Sequence, residues 1–230
     1  MTSVKHIFFD LDHTIWDFEK NSKETLGELF EEFELQAVID NKERFLATYQ
    51  TVNAQFWKKY RDGEIDKHTV RFGRFEATLK RFKVPNADVV GKALGDEYVK
   101  RGPHKTHLFP FAHETLSYLK EKYPLHIITN GFKEVQHVKL SGSDLHKYFD
   151  IVLCSEDVGV NKPHRKVFET ALEMAKIEPS DAVMIGDNYE ADIQGAQKVG
   201  MHTIFFDPNG ENKAPQTTVI QSLKDLTKLF

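Results

Sequence analysis

The sequence predicts an α/β fold: a Rossmann-like parallel sheet core flanked by helices, with an inserted all-helical cap domain. Short apolar runs without polar alternation recur at Val4–Phe9, Leu125–Ile128, Ile151–Cys154, Ala182–Ile185 and Thr203–Phe206, the pattern of strands buried on both faces. Amphipathic segments of helix length lie between or after them at His113–Lys122, Arg165–Lys176 and Asp192–Val199. Alternation of strand and helix gives parallel strands joined by right-handed crossovers. From about Phe18 to about Gly102 the rhythm breaks, and only helical patterns remain.

Taken in order, the first strand ends on Asp10-Leu11-Asp12. The helical patterns Thr25–Phe33, Arg44–Tyr60, His68–Arg81 and Ala87–Lys100 follow, dividing the chain into a core of residues 1–17 and 103–230 and a cap of residues 18–102. Phe45, Tyr49, Phe56, Trp57, Tyr60, Phe72 and Phe75 fall at spacings that suit a small helical core. An insertion placed directly after the first strand would cover the carboxyl edge of the sheet, where open α/β folds bind ligands, and so act as a lid. Later, Pro163 is expected in the first turn of the helix over Arg165–Lys176, and Gly200 is expected to cap the helix over Asp192–Val199. Pro208–Pro215, with Gly210 and Asn212, reads as a loop before a last strand near Thr218–Ile220 and a C-terminal helix.

Composition narrows the function classes. The 230 residues are 40% hydrophobic and 29% charged, within the globular range. A net charge of −4 offers no basic surplus for polymeric nucleic acid. Cys154 is the only cysteine, so there is no intrachain disulfide, and it reads as a small buried hydrophobe. The first apolar run is too short for a signal segment or a membrane span. A cytoplasmic protein with no membrane partner is the expectation.

The chemistry-bearing residues follow predicted strands. Asp10 and Asp12 are two carboxylates one residue apart. Thr129-Asn130-Gly131 supplies a hydroxyl, backbone N–H groups and a permissive glycine that can wrap a phosphate. Lys162, on the loop after the strand ending near Ser155, offers an ammonium that could neutralise a carboxylate and a transferring phosphoryl group together. Asp187 and Asp192 lie five residues apart after the strand at Ala182–Ile185. With Asp10 they make the few-carboxylate set that Mg²⁺ prefers. Each string alone has an ordinary structural explanation, as a turn, a cap or a solvated lysine.

Jointly they resemble the haloacid dehalogenase superfamily, across the sheet-forming segments on both sides of the insertion. The resemblance implies Asp10 as the phosphate-accepting nucleophile, Asp12 as general acid and base, Thr129 as the phosphate-binding hydroxyl, with Asn130 beside it, and Lys162 as the charge-balancing lysine. It implies Asp187 as a direct metal ligand and Asp192 as the second acid, with Asp10 and the backbone carbonyl of Asp12 also on Mg²⁺. The helical insertion is similar to the subgroup with an α-helical cap between the first and second motifs.

Asp12 directs the choice among family reactions, because dehalogenases need no leaving-group acid and typically lack this residue. Phosphomonoester hydrolysis of a small phosphorylated metabolite is the expected activity, with phosphomutases retained. A phosphorylation-dependent regulatory protein is the reading from another class; receiver domains are shorter and lack such a cap. Thr129-Asn130-Gly131-Phe132, Val160-Asn161-Lys162-Pro163 and Gly186-Asp187-Asn188 resemble the bacterial pyrimidine 5'-nucleotidase subgroup. That places nucleoside 5'-monophosphates ahead of sugar phosphates and phosphoglycolate, with Trp16, Phe18, Trp57 and Phe132 as residues that could stack on a base.

Overall fold

The computed structural model describes residues 4–211 and 216–230. In chain order the elements are β1 (His6–Phe9), α1 (Phe18–Glu32), α2 (Lys42–Arg61), α3 (Lys67–Arg81), α4 (Ala87–Arg101), α5 (Ala112–Lys120), β2 (Leu125–Thr129) and α6 (Lys133–Gly142). They continue with β3 (Phe149–Cys154), α7 (Ser155–Val158), α8 (Arg165–Ala175), β4 (Ala182–Gly186), α9 (Gly195–Gln197), β5 (His202–Phe206), β6 (Thr218–Ile220) and α10 (Leu226–Leu229). The chain divides into two units, Met1–Phe18 with Thr106–Phe230, and Glu19–Lys105.

The first unit is built on a six-stranded sheet of order β3-β2-β1-β4-β5-β6, parallel throughout. The apolar runs lack alternation because both faces are covered. Ile7, Phe9, Ile127, Val183 and Ile185 pack on one side with Leu116, Leu119 and Leu140. Phe8, Ile128 and Met184 pack on the other with Val167, Phe168, Ala171 and Leu172 of α8. β1 lies between β2 and β4, where the strand order reverses, so the loops after these strands open a crevice at the sheet's carboxyl edge.

The second unit contains α1 to α4 around Leu26, Leu29, Phe30, Phe45, Tyr49, Phe75, Leu79, Leu94 and Tyr98. Asn41 starts α2, its Oδ1 accepting the Arg44 N–H at 2.9 Å. Asp66 starts α3, accepting the Thr69 N–H at 2.7 Å. Gly91 lets α4 lie against α3, since a Cβ there would fall 2.7 Å from the Glu76 backbone nitrogen.

Two local expectations are corrected, and one helix is added to those the sequence predicts. Pro163 is not in the first turn of α8: His164 is the N-cap, its ring accepting the Lys166 N–H at 3.2 Å, and Arg165 is the first helical residue. The segment expected as one helix over Asp192–Val199 opens as a wide π-helical turn from Tyr189 to Gln194, followed by the short α9. This turn carries Asp192 back toward the N–H of Asn188, and such turns recur at functional sites. α6 was not anticipated, because its buried positions include Gln136 and Lys139, so its inward face carries little apolar periodicity. Gly200 has the left-handed φ of +94° expected of a cap. In the loop expected over Pro208–Pro215, residues 212–215 lie outside the described residues.

Candidate active site

Asp10 stands one residue beyond β1, and its N–H continues the sheet by donating to the Ile185 carbonyl at 2.9 Å. Lys162 reaches it from the loop between α7 and α8. Its ammonium donates to Asp10 Oδ1 and to the Ile128 carbonyl, each at 2.7 Å, and pairs with Asp192 Oδ1 at 2.7 Å, off the hydrogen-bonding direction. The Lys162 side chain is only 2% exposed. Burial works to lower its pKa, but the charges of Asp10 and Asp192 outweigh burial and raise it, keeping the ammonium protonated.

The lysine is held by its backbone as well. The Asn130 amide donates to the Lys162 carbonyl at 3.0 Å and accepts the Lys162 N–H at 2.8 Å. The Asn130 side chain is thus engaged in placing Lys162. Thr129 Oγ1 accepts the Gly131 N–H at 3.0 Å and a Gln136 amide hydrogen at 2.7 Å.

Behind Gly186, Asn188 Oδ1 accepts the Ala191 N–H at 2.9 Å, and the Asn188 N–H donates to Asp192 Oδ2 at 3.0 Å. Thr14 donates to Asp187 Oδ1 at 3.1 Å. Asp10, Asp187 and Asp192 each offer an oxygen within 4.8 Å of the others. Burial first, and the neighbouring negative charges second, raise the proton affinities of Asp10 and Asp187. Burial, followed by the nearby Asp192 charge, pushes Asp187 up to about 8. Burial also drives Asp10 well above the carboxylate range despite Lys162, with Asp192 and Asp187 adding to the rise. Three clustered carboxylates facing one ammonium fit a hard divalent cation with oxygen ligands, which would remove the charge surplus.

Asp12 is set apart from that cluster. Gln136 donates to its Oδ2 at 2.9 Å and Lys139 to its Oδ1 at 2.5 Å. Burial would raise its pKa, but the Lys139 charge and the two hydrogen bonds hold it below the ordinary value. Its side chain is therefore outside the carboxylate cluster proposed for a metal, and the two neighbouring acids differ because Lys139 stabilises the charge on Asp12.

Sequence reasoning missed Gln136, Lys139 and Thr14, and read Asn188 only as part of the Gly186-Asp187-Asn188 string, without a role. Gln136 and Lys139 stand three residues apart, the spacing of one helix face, and that was the available signal. The aromatic candidates scatter. Trp16 is 2% exposed and Phe132 4% exposed, so packing takes most of both rings. The Trp16 ring lies 4.3 Å from the Lys139 ammonium. Phe18 is partly buried against the sheet core. Trp57 is on α2, its ring meeting Tyr60 edge-on at 5.7 Å. Cys154 is buried, its thiol pushed up to about 12 by burial and the nearby Asp157 charge, as suits an inert packing residue.

With the strand order and this site in place, comparison with known proteins is specific. Residues 7–206 match the family model of the haloacid dehalogenase-like hydrolases, and the chain belongs to that family of enzymes. It is 33% identical to the pyrimidine 5'-nucleotidase YjjG of Escherichia coli, over 97% of this chain and 96% of that one. It is 32% identical to the ribulose-1,5-bisphosphate 5-phosphatase of Halopiger xanaduensis, over 92% and 88%. Among solved structures, the magnesium-bound orthorhombic form of the HAD-hydrolase YfnB from Bacillus subtilis superposes with a TM-score of 0.89 at 29% identity, covering 98% of both chains. Among the described residues, no helix is long and apolar enough to cross a membrane.

Proposed function

We propose that the chain is a magnesium-dependent phosphomonoesterase that transfers the phosphoryl group to Asp10 and acts on nucleoside 5'-monophosphates. The observation that carries this reading is the separation of two acids on one loop: Asp10 is tied to Lys162 at 2.7 Å, while Asp12 is tied to Lys139 at 2.5 Å. A nucleophile and a proton-transfer group need different surroundings, and these two carboxylates have them.

Asp10, Asp187 and Asp192 would hold the cation, with the Asp12 carbonyl as a further ligand that the family resemblance implies. Bound there, Mg²⁺ would screen the carboxylates and the phosphoryl oxygens from each other. Lys162 supplies a fixed positive charge beside Asp10, which lowers the repulsion between a carboxylate and an incoming phosphate. The Thr129 hydroxyl orients the phosphoryl oxygens. In the first half-reaction an Asp10 oxygen bonds to phosphorus, the ester P–O bond breaks, and Asp12 gives a proton to the departing alkoxide. In the second, Asp12 takes a proton from water, the water oxygen bonds to phosphorus, and the Asp10–phosphorus bond breaks to release phosphate. Asp12 rests ionised beside Lys139, ready as a base; a nearby phosphate dianion favours its protonation and prepares the acid role.

The nucleotide preference rests on the Escherichia coli relative and on the motif strings shared with that subgroup. The Halopiger relative, at nearly the same identity, supports sugar phosphates as a second reading. Phosphate release across nucleoside monophosphates, sugar phosphates and phosphoglycolate, with Mg²⁺, separates the two. Equal rates on all substrates would remove the nucleotide preference, and undiminished activity in Asp10→Asn would remove the nucleophile.

A further inference from the structure

α6 presents two polar side chains to the interior of the sheet unit. Gln136 is fully buried and Lys139 is 5% exposed. Side chains of this kind are seldom buried without a partner that requires them. Both converge on one carboxylate. Lys139 takes Asp12 Oδ1 at 2.5 Å and Gln136 takes Oδ2 at 2.9 Å, so neither oxygen can rotate away without losing a bond. The Gln136 amide also donates to Thr129 Oγ1 at 2.7 Å. A single NH₂ group therefore fixes the distance between the Asp12 carboxylate and the Thr129 hydroxyl. Lys139 is braced by aromatic faces, with Trp16 at 4.3 Å and Phe18 at 5.8 Å. The backbone leaves room for this arrangement: a Cβ on Gly131 would fall 1.8 Å from Gln136 Nε2.

We propose that Gln136 and Lys139 are positioning residues that aim Asp12 at the leaving-group oxygen of a phosphate held by Thr129, making the enzyme competent on unactivated alkyl phosphates. The inference rests on the acid role of Asp12 proposed above. Its chemical consequence is selective. An alkyl alcohol leaves as a strong base and needs the Asp12 proton as the P–O bond breaks. Nitrophenolate is a weak base and leaves without one. Loss of aim therefore harms the first half-reaction of an alkyl phosphate much more than that of an aryl phosphate. A disturbed fold would harm both alike.

The experiment compares kcat/KM, which reports the first half-reaction, for a nucleoside 5'-monophosphate or other alkyl phosphate and for p-nitrophenyl phosphate. The variants are Gln136→Met, Lys139→Met, Lys139→Arg and Asp12→Asn in the full chain with Mg²⁺. Gln136→Met and Lys139→Met are expected to lower the alkyl value by roughly 10²-fold, the scale of a misplaced proton-transfer group, and the aryl value by less than about fivefold. Lys139→Arg is expected to recover part of the alkyl loss, since a guanidinium keeps the charge-assisted bond. Gln136→Met, which removes the amide from Asp12 and Thr129 and leaves Lys139 in place, keeps the test decisive even if Lys139→Met folds poorly. Parallel losses on both substrates, or no loss on either, overturn the inference. If Asp12→Asn itself shows no leaving-group dependence, the acid role has failed. If it does and the α6 variants do not, only the positioning has failed.

Discussion

Asn130 and Lys162, 32 residues apart in sequence, hold each other through a reciprocal pair of hydrogen bonds, side-chain amide to backbone N–H and carbonyl, at 2.8 and 3.0 Å. This contact turns a flexible lysine into a fixed charge. Its main chain is clamped on one side, and its ammonium is locked by Asp10 and the Ile128 carbonyl on the other.

Asn130→Ala is therefore expected to act through Lys162. It removes two hydrogen bonds from a part-buried backbone, a loss of about 1–3 kcal/mol, and frees the lysine loop. Turnover should fall about tenfold or more, while Mg²⁺ affinity, read by titration calorimetry, stays near that of the parent. Asn130→Asp keeps the acceptor for the Lys162 N–H but loses the donor to its carbonyl, so it should fall between. An Asn130→Ala enzyme with parental turnover would show the clamp to be dispensable.

Gly186 is the last residue of β4, and a Cβ there would lie 2.3 Å from Asp192 Oδ2. Gly186→Ala must push Asp192 away from Lys162 and from the Asn188 N–H. Overpacking of this kind costs about 1–3 kcal/mol, and here it also breaks the three-carboxylate cluster. The expected result is a lower thermal midpoint together with weakened Mg²⁺ binding. A variant that melts early but binds Mg²⁺ normally would mean that Asp192 has no part in holding the ion.

Removal of the cation supplies a complementary test. Chelation should abolish phosphate release from p-nitrophenyl phosphate, and Mg²⁺ should restore it. If the folded cluster holds the ion and an unfolded chain does not, added Mg²⁺ should raise stability by about 2.7 kcal/mol when present at a hundredfold excess over its Kd. Asp187→Asn should lose that gain. Activity that persists after exhaustive chelation would refute the metal requirement.

What the sequence revealed, and what it hid, divides along physical lines. β1, β2 and β4 were visible because both faces are covered, so Phe8, Ile128 and Met184 are as apolar as their neighbours. Asp10, Lys162, Asp187 and Asp192 were visible as polar residues close behind such runs, and the structure brings their side chains together. α6 was hidden because the residues it buries include Gln136 and Lys139, which a hydrophobic pattern discards. The use of Asn130 was hidden because its partner is the backbone of Lys162, reached only when the loops after β2 and β3 meet. The wide turn at Tyr189–Gln194 was hidden because Asp192 answers to Lys162 and to the Asn188 N–H, not to helix propensity.

His126 of β2 gives a prediction away from the site. It is 2% exposed, its Nε2 lies 2.9 Å from His6 Nδ1, and its ring packs 4.6 Å from that of Phe8. Burial, reinforced by His6, pushes its pKa from 6.5 down to about 4, and burial lowers His6 as well. The unfolded chain therefore takes up protons before the folded one does. The stability contributed by neutral His126 is complete above about pH 6.5 and is lost progressively as the pH falls toward 4. Over that window the slope approaches about 1.4 kcal/mol per pH unit for one group. Asp10 and Asp187, whose pKa values are raised, act in the opposite sense over the same window. The His126 contribution is therefore read as the difference in urea-unfolding stability between the parent and His126→Leu, a difference that should fall as the pH drops from 6.5 toward about 4. A decline of the same steepness in His126→Leu would assign the acid sensitivity to other groups.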